Sequence, residues 1–191
     1  QPRSRGLGDV YKRQQSARQV LAARPQYDGK VVASKLNERW AADLIDYTAT
    51  PSTGAAKNPY KYILIAQDIY SRKLYGVALR GKTQATVTQA FEHLVREADA
   101  KPEELNTDQG PEFEGPFEEY LADEQIAHTT ADLRNFNARG TLDAAIRSFK
   151  QQLTRIQVAE KTRDWASLVQ RAIKAYNSTS HSGIMNLSLI H

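Results

Sequence analysis

Three aspartates stand where carboxylates could do chemistry. Asp43 lies inside the apolar run WAADLIDY, three residues after Trp40, where a charge is costly unless a cation or hydrogen bonds compensate it. Asp108 ends a short strand-like run and opens the Gly- and Pro-containing turn TDQGPEF. Asp143 follows a glycine-containing stretch at the head of a long amphipathic run. Taken singly, Asp143 suits the first turn of a helix, because of the dipole, and Asp108 suits a turn. Brought to one point from three elements, they form a hard, oxygen-rich set suited to two Mg²⁺ or Mn²⁺ ions about 3.5 to 4 Å apart. Such a pair can activate an attacking oxygen and stabilise a leaving oxygen at a phosphodiester. Asp46 reads as a strand-end residue, and Asp68 as a partner for the turn SRK.

Basic residues accompany the third acid. Arg147, Lys150 and Thr154 follow Asp143 by four, seven and eleven positions, so on a helix they share its face and could touch phosphates; the alternative is a solvated helical face. Arg134, Asn135 and Arg139 could add phosphate contacts from the stretch before it, where solvation is an equal reading. The four histidines, 93, 128, 181 and 191, are scattered singly, with neither zinc spacing nor a hydrolase triad, and the absence of cysteine excludes disulfides, thiol nucleophiles and iron–sulfur clusters. No zinc is expected in this fragment, and no Gly-rich phosphate loop occurs.

The elements that must position these groups follow from periodicity. WAADLIDYTA and YKYILIAQDI read as strands, and SRK turns the second tightly into LYGVALR, giving an antiparallel pair. Thr83 caps a helix to about Ala98, whose stripe is Val87, Ala90, Phe91, Leu94 and Val95. A short strand ends at Asp108, residues 115–124 fit a helix, and IAHTTA fits a last strand. Residues 132–140 lack either period and read as a loop. A long helix then runs from Thr141 to about Ala159 on the stripe Leu142, Ile146, Phe149, Leu153 and Ile156, and another runs over 164–176, burying Trp165, Leu168, Val169, Ala172 and Ile173. Together these predict an α/β fold, a mixed sheet with helices on its faces.

With 191 residues, 40% of them hydrophobic, the chain fits one ordinary domain plus a tail. Its net charge of +4 is unevenly spread: 8 basic against 2 acidic residues over 1–35, 9 against 17 over 36–132, and 9 against 3 over 133–191. An acidic middle between basic ends suits metal ions held beside a polyanion, although solvated surface charge gives the same counts. No apolar run approaches the ~20 residues of a membrane span, and no signal-peptide core occurs, so neither a membrane partner nor secretion is expected. Residues 1–35 read as a basic arm. GDVYKRQ near the start and LSLIH at the end resemble translated adapter sequence, so part of the arm and the tail over 185–191 are expected to lie outside the core of 36–184, with flanking domains lost from the fragment.

WAADLIDY, QDIYSRKLYGVAL, TDQGPEF, NARGTLDAAIRSFKQQL and AYNSTSHSGI follow one another in the order and approximate spacing of the catalytic core of retroviral and retrotransposon integrases. The resemblance covers most of the chain, about 36–184. It implies a ribonuclease-H-like fold, a mixed five-stranded sheet with helices on both faces, and metal-bound acids at Asp43, Asp108 and Asp143. It further implies polynucleotidyl transfer of the integrase type: a dinucleotide is hydrolysed from element DNA ends, and the 3′-hydroxyl is then joined to target DNA. The partners implied are double-stranded DNA, both element ends and target, and further copies of the chain. In a eukaryotic host the implied compartment is the nucleus. Arg147 and Lys150 match the basic positions that this family places beside the DNA end, and His181 falls in a motif that reads as structural. One departure stands out. The family's third acid is normally glutamate, and here it is Asp143, 35 residues after Asp108 and one methylene shorter. Metal chemistry depends on carboxylate placement, so a degenerate DNA-binding or assembly module is the alternative. A stand-alone ribonuclease H fits less well, given the Asn- and Gly-bearing stretch before the last acid and the AYNSTSHSG segment.

Overall fold

The computed structural model describes residues 33–54, 57–130 and 136–179, with 136–139 described by backbone alone. Five strands, β1 (Arg39–Asp46), β2 (Tyr62–Asp68), β3 (Leu74–Leu79), β4 (Glu104–Thr107) and β5 (Ala127–Thr130), form one sheet in the order β3-β2-β1-β4-β5. The first three are antiparallel neighbours, whereas β4 and β5 run parallel to β1. A parallel return needs a crossover, and the helix α1 (Gln84–Ala98) supplies it between β3 and β4. Helix α2 (Pro116–Asp123) links β4 to β5, and α3 (Phe136–Glu160) and α4 (Val169–Asn177) follow the sheet.

Alternation along β1 divides the core. Trp40 and Ala42 point to one face with Leu64, Val87, Phe91 and Leu94, and Phe117 and Leu121 of α2 join them. Ala41 and Ile45 point to the other, against Leu142, Ile146, Phe149 and Leu153 of α3 and Ala172 and Ile173 of α4. Helices therefore cover both faces, as the sequence pattern predicts. Thr83 caps α1 by accepting from the Thr86 N–H. Asp68 holds the hairpin turn, accepting from the N–H and the hydroxyl of Ser71 at 3.0 and 2.5 Å. Gly76 is required by close packing, since a Cβ there would come within 2.6 Å of Ile65 Cδ1 and 3.1 Å of Ile173 Cδ1.

Two expectations are corrected. The long helix begins at Phe136, so 136–140 are helical rather than loop, and Asp143 sits well inside α3, not in its first turn. No apolar period announces that start, and Gly140 costs a helix only about 1 kcal/mol relative to alanine. The last predicted helix is divided: a 3-10 turn over Ala166–Leu168 precedes α4, while Asp164 lies ahead of both and accepts from Ser52 Oγ at 2.5 Å. The predicted arm up to residue 32, Arg134, Asn135, His181 and the tail lie outside the described residues, as does the side chain of Arg139. No helix among the described residues is long and apolar enough to cross a membrane.

Helix α4 also finishes the β3 edge of the sheet. The Asn177 side chain accepts from the Leu74 N–H and donates to the Leu74 carbonyl, both at 2.8 Å, and Gln170 Nε2 donates to the Gly76 carbonyl at 2.9 Å. Asn177 thus stands in for a neighbouring strand, which gives the asparagine of AYNSTSHSGI a structural role. Asn177→Ala leaves a donor and an acceptor at that edge without these partners, and is expected to cost about 1 to 3 kcal/mol of stability, read by urea denaturation.

Candidate active site

Asp43 lies on the α3-facing side of β1, between the buried Ala41 and Ile45, and is half-buried. Its Oδ1 accepts from the Leu44 N–H at 2.7 Å. Asp108 follows the last residue of β4. The parallel register pairs Trp40 with Leu105 and Ala41 with Asn106, so continuing it by two residues brings Asp108 level with Asp43 on the same face. Adjacent strands lie about 4.8 Å apart. Asp143 comes from α3, exposed beside the buried Leu142. All three acids line one cleft of about 300 Å³, together with Ala41, Asn106, Thr107 and Leu142.

The turn after β4 is built to present Asp108. Asp108 Oδ1 accepts from the Gly110 N–H at 3.3 Å, and a Cβ on Gly110 would come within 2.9 Å of Glu112 Cδ and 3.1 Å of Asp108 Oδ1. A side chain there would push the Asp108 and Glu112 carboxylates aside. The buried Glu112 carboxylate pairs with Lys82 Nζ at 3.7 Å, and Gln84 Nε2 donates to the Pro111 carbonyl at 3.0 Å, so the segment entering α1 braces this turn. On the other side, Asn106 Nδ2 donates to Thr129 Oγ1 at 3.1 Å, and Thr107 Oγ1 lies 2.9 Å from His128 Nε2, cross-linking the end of β4 to β5. Sequence reasoning passed over Asn106, Thr107 and Glu112. The available signal was a pair of polar residues inside a strand, with Asn106 two positions from Asp108 and hence on its face.

Burial pushes the His128 imidazole below its usual pKa, against a smaller upward pull from Glu118. The unfolded chain, with histidine near 6.5, then binds more protons than the folded one just below that pH. This contribution to stability is therefore present above about pH 6.5 and is lost as the pH falls through the unfolded value toward the lower folded one. A thermal-unfolding series from about pH 7 to about pH 5.5 is expected to show a steeper decline for the native chain than for His128→Gln.

The donor set, all carboxylate oxygens in one cleft, fits a hard divalent cation in chemistry and location. It stands open, since among the described residues no three histidines or acids gather closely enough to share an ion. Arg147, Lys150 and Thr154 are exposed on α3, on the same face of the helix as Asp143.

A family model described as the integrase core domain matches residues 33–135, which include Asp43 and Asp108 and end before Asp143. The chain is 22% identical over 123 residues to a transposon-derived protein of Caenorhabditis elegans, covering 64% of this chain and 43% of that protein. It is 24% identical over 143 residues to the Pol polyprotein of Radiation murine leukemia virus (strain Kaplan), covering 69% of this chain and 23% of that one. The chain thus spans less than half the length of these curated relatives. Among solved structures, the dimeric form of the HTLV-2 integrase catalytic core domain in complex with magnesium superposes with a TM-score of 0.64 at 20% identity, covering 80% of this chain and 94% of that one. At that identity the likeness shows the fold, a ribonuclease-H-like mixed sheet.

Proposed function

The chain belongs to the integrase core domain family, and from that premise we propose that it binds duplex DNA and carries out metal-dependent 3′-end processing and strand transfer, with Asp43, Asp108 and Asp143 as its catalytic acids. The observation that carries this reading is that these acids, from a strand, a turn and a helix, line one cleft beside the basic face of α3. Two divalent ions, Mg²⁺ or Mn²⁺, would be held by the three acids and would supply Lewis-acid stabilisation of the charge that builds on a phosphodiester.

The chain's own residues do the rest. Arg147 and Lys150 take backbone phosphates and lead the DNA end toward the cleft, and Arg139 and Asn135 are assigned to the same strand. Asn106, Thr107 and Gly110 hold Asp108 in place. Water, or the 3′-hydroxyl of the DNA, is the nucleophile, so no covalent link to the protein forms. Assembly as a homo-oligomer is part of the proposal, in line with the dimeric form of the HTLV-2 core. The test is a strand-transfer assay on duplex ends with Mg²⁺ or Mn²⁺; a chain that binds the duplex yet neither nicks nor joins it would sink the catalytic part.

The open donor set and the shorter third acid make a further prediction. Asp143→Glu adds one methylene of reach toward the cleft and is expected to raise the initial rate about tenfold, a gain of about 1.4 kcal/mol in transition-state stabilisation. Parallel initial-rate measurements on the two chains check it, and equal rates would show that three aspartates suffice.

A further inference from the structure

We propose that duplex DNA continues along α3 beyond the cleft and sets a second backbone phosphate at the mouth of a pocket walled by Tyr47, Pro51, Gln157, Arg163 and Trp165. The inference rests on the DNA-binding reading above and extends it to a site remote from the three acids. That pocket has a volume of about 640 Å³. Its walls are fixed: Trp165 Nε1 donates to the Thr50 carbonyl at 2.9 Å, and the Tyr47 and Trp165 rings lie 4.8 Å apart. Arg163 is exposed at its rim, and its carbonyl accepts from the Thr53 N–H, so the backbone that carries the guanidinium is anchored.

Helix geometry connects the pocket to the cleft. Asp143, Arg147, Lys150, Thr154 and Gln157 are spaced by four, three, four and three residues, which keeps them on one face of α3. From Asp143 to Gln157 the helix rises about 21 Å at 1.5 Å per residue. At 3.4 Å per base step, this is the length of about six base pairs.

Charge names the occupant. Arg147, Lys150, Arg155, Lys161 and Arg163 are all exposed along α3 and the turn after it, and none lies in an ion pair among the described residues. The acids on α3 are Asp143 in the cleft and Glu160, which is paired with Arg171. These cations, with Arg155 off the face that carries Arg147 and Lys150 and with Lys161 and Arg163 in the turn beyond, repel one another and are relieved by a polyanion. A duplex, with one charge per about 1.7 Å of axis, is such a partner.

The test measures binding of the whole chain to a duplex of about 20 base pairs by fluorescence anisotropy over a range of salt, where each lost phosphate contact lowers the slope of log K against log salt by about 0.9. Arg163→Ala is expected to lower the slope by that amount and the affinity about 3- to 10-fold at ~0.1 M salt, whatever the duplex sequence. Arg96→Ala, whose native side chain pairs with Glu92 on α1, is expected to leave both unchanged. Because the chain has no cysteine, Val158→Cys and Ala144→Cys each accept a single DNA-cleaving iron chelate. Their cuts are expected about six base pairs apart. A slope unchanged by Arg163→Ala, or coincident cuts from the two tags, overturns the proposal. If Arg147→Ala and Lys150→Ala still weaken binding, the cleft reading survives that outcome; if they too have no effect, both fall.

Discussion

Replacing Asp43 by asparagine is expected to lower metal-dependent cleavage and joining by about a thousandfold or more, while the protein stays folded. The size follows from what the carboxylate is proposed to do. Divalent-ion stabilisation of a phosphodiester transition state is worth several kcal/mol, and each 1.36 kcal/mol is a factor of ten in rate. Asparagine keeps the shape and one oxygen but lacks the charge that draws a cation into a cleft shared with Asp108 and Asp143. Stability is expected to hold or rise slightly, because one of three like charges around the cleft is removed. Single-turnover rates and thermal unfolding of the native and Asp43→Asn chains check both halves. A variant that keeps activity within tenfold would remove Asp43 from the mechanism, and with it the strand that anchors the proposed site.

Trp40→Ala is expected to be the most damaging single change to the fold. Trp40 is fully buried three residues before Asp43, stacked on Tyr75 at 5.0 Å and 19° and edge-on to Phe91 at 6.5 Å, with its indole N–H donated to Asn37 Oδ1 at 3.2 Å. Emptying such a site costs about 3 to 5 kcal/mol, out of a total that for a natural domain is about 5 to 15. For a chain of this size the midpoint is expected to fall by roughly 10 to 15 °C. Trp40→Phe keeps a ring against Tyr75 and is expected to lose less than half as much. Calorimetry or circular dichroism on the two variants reads the difference, and a drop under about 3 °C for alanine would show that the core repacks around the gap.

The elements that announced themselves in the sequence are those whose buried faces repeat. The run after Trp40, the hairpin around SRK and the Thr83-capped helix needed no knowledge of distant partners, because each carries its own period and its own turn chemistry. The start of α3 was hidden for the opposite reason: Asn137, Arg139 and Gly140 show no apolar repeat, so Asp143 read as a first-turn residue when it lies a further turn or more inside the helix. Of the three acids only Asp43 sat oddly in its local setting; Asp108 and Asp143 suit a turn and a helix start, and it was the combination that singled them out. Their gathering in one cleft is a property of sheet order, which places β4 beside β1 although more than fifty residues separate them. Asn106 left a signal, a polar residue inside a strand on the face of Asp108, but its partner Thr129 on β5 did not; Glu112 and Asn177 were unreadable because their partners, Lys82 ahead of α1 and Leu74 at the head of β3, come from elsewhere in the chain.

The grip of Asn177 on Leu74 has a consequence for the crowded, partly folded molecules met during synthesis. A bare strand margin is a template on which another polypeptide can crystallise its own backbone, and fibrous aggregates grow in this way. Here the amide of a helix residue already fills both bonding positions of Leu74, with Gln170 doing the same for one carbonyl farther along, so a foreign strand arriving at that side meets occupied sites.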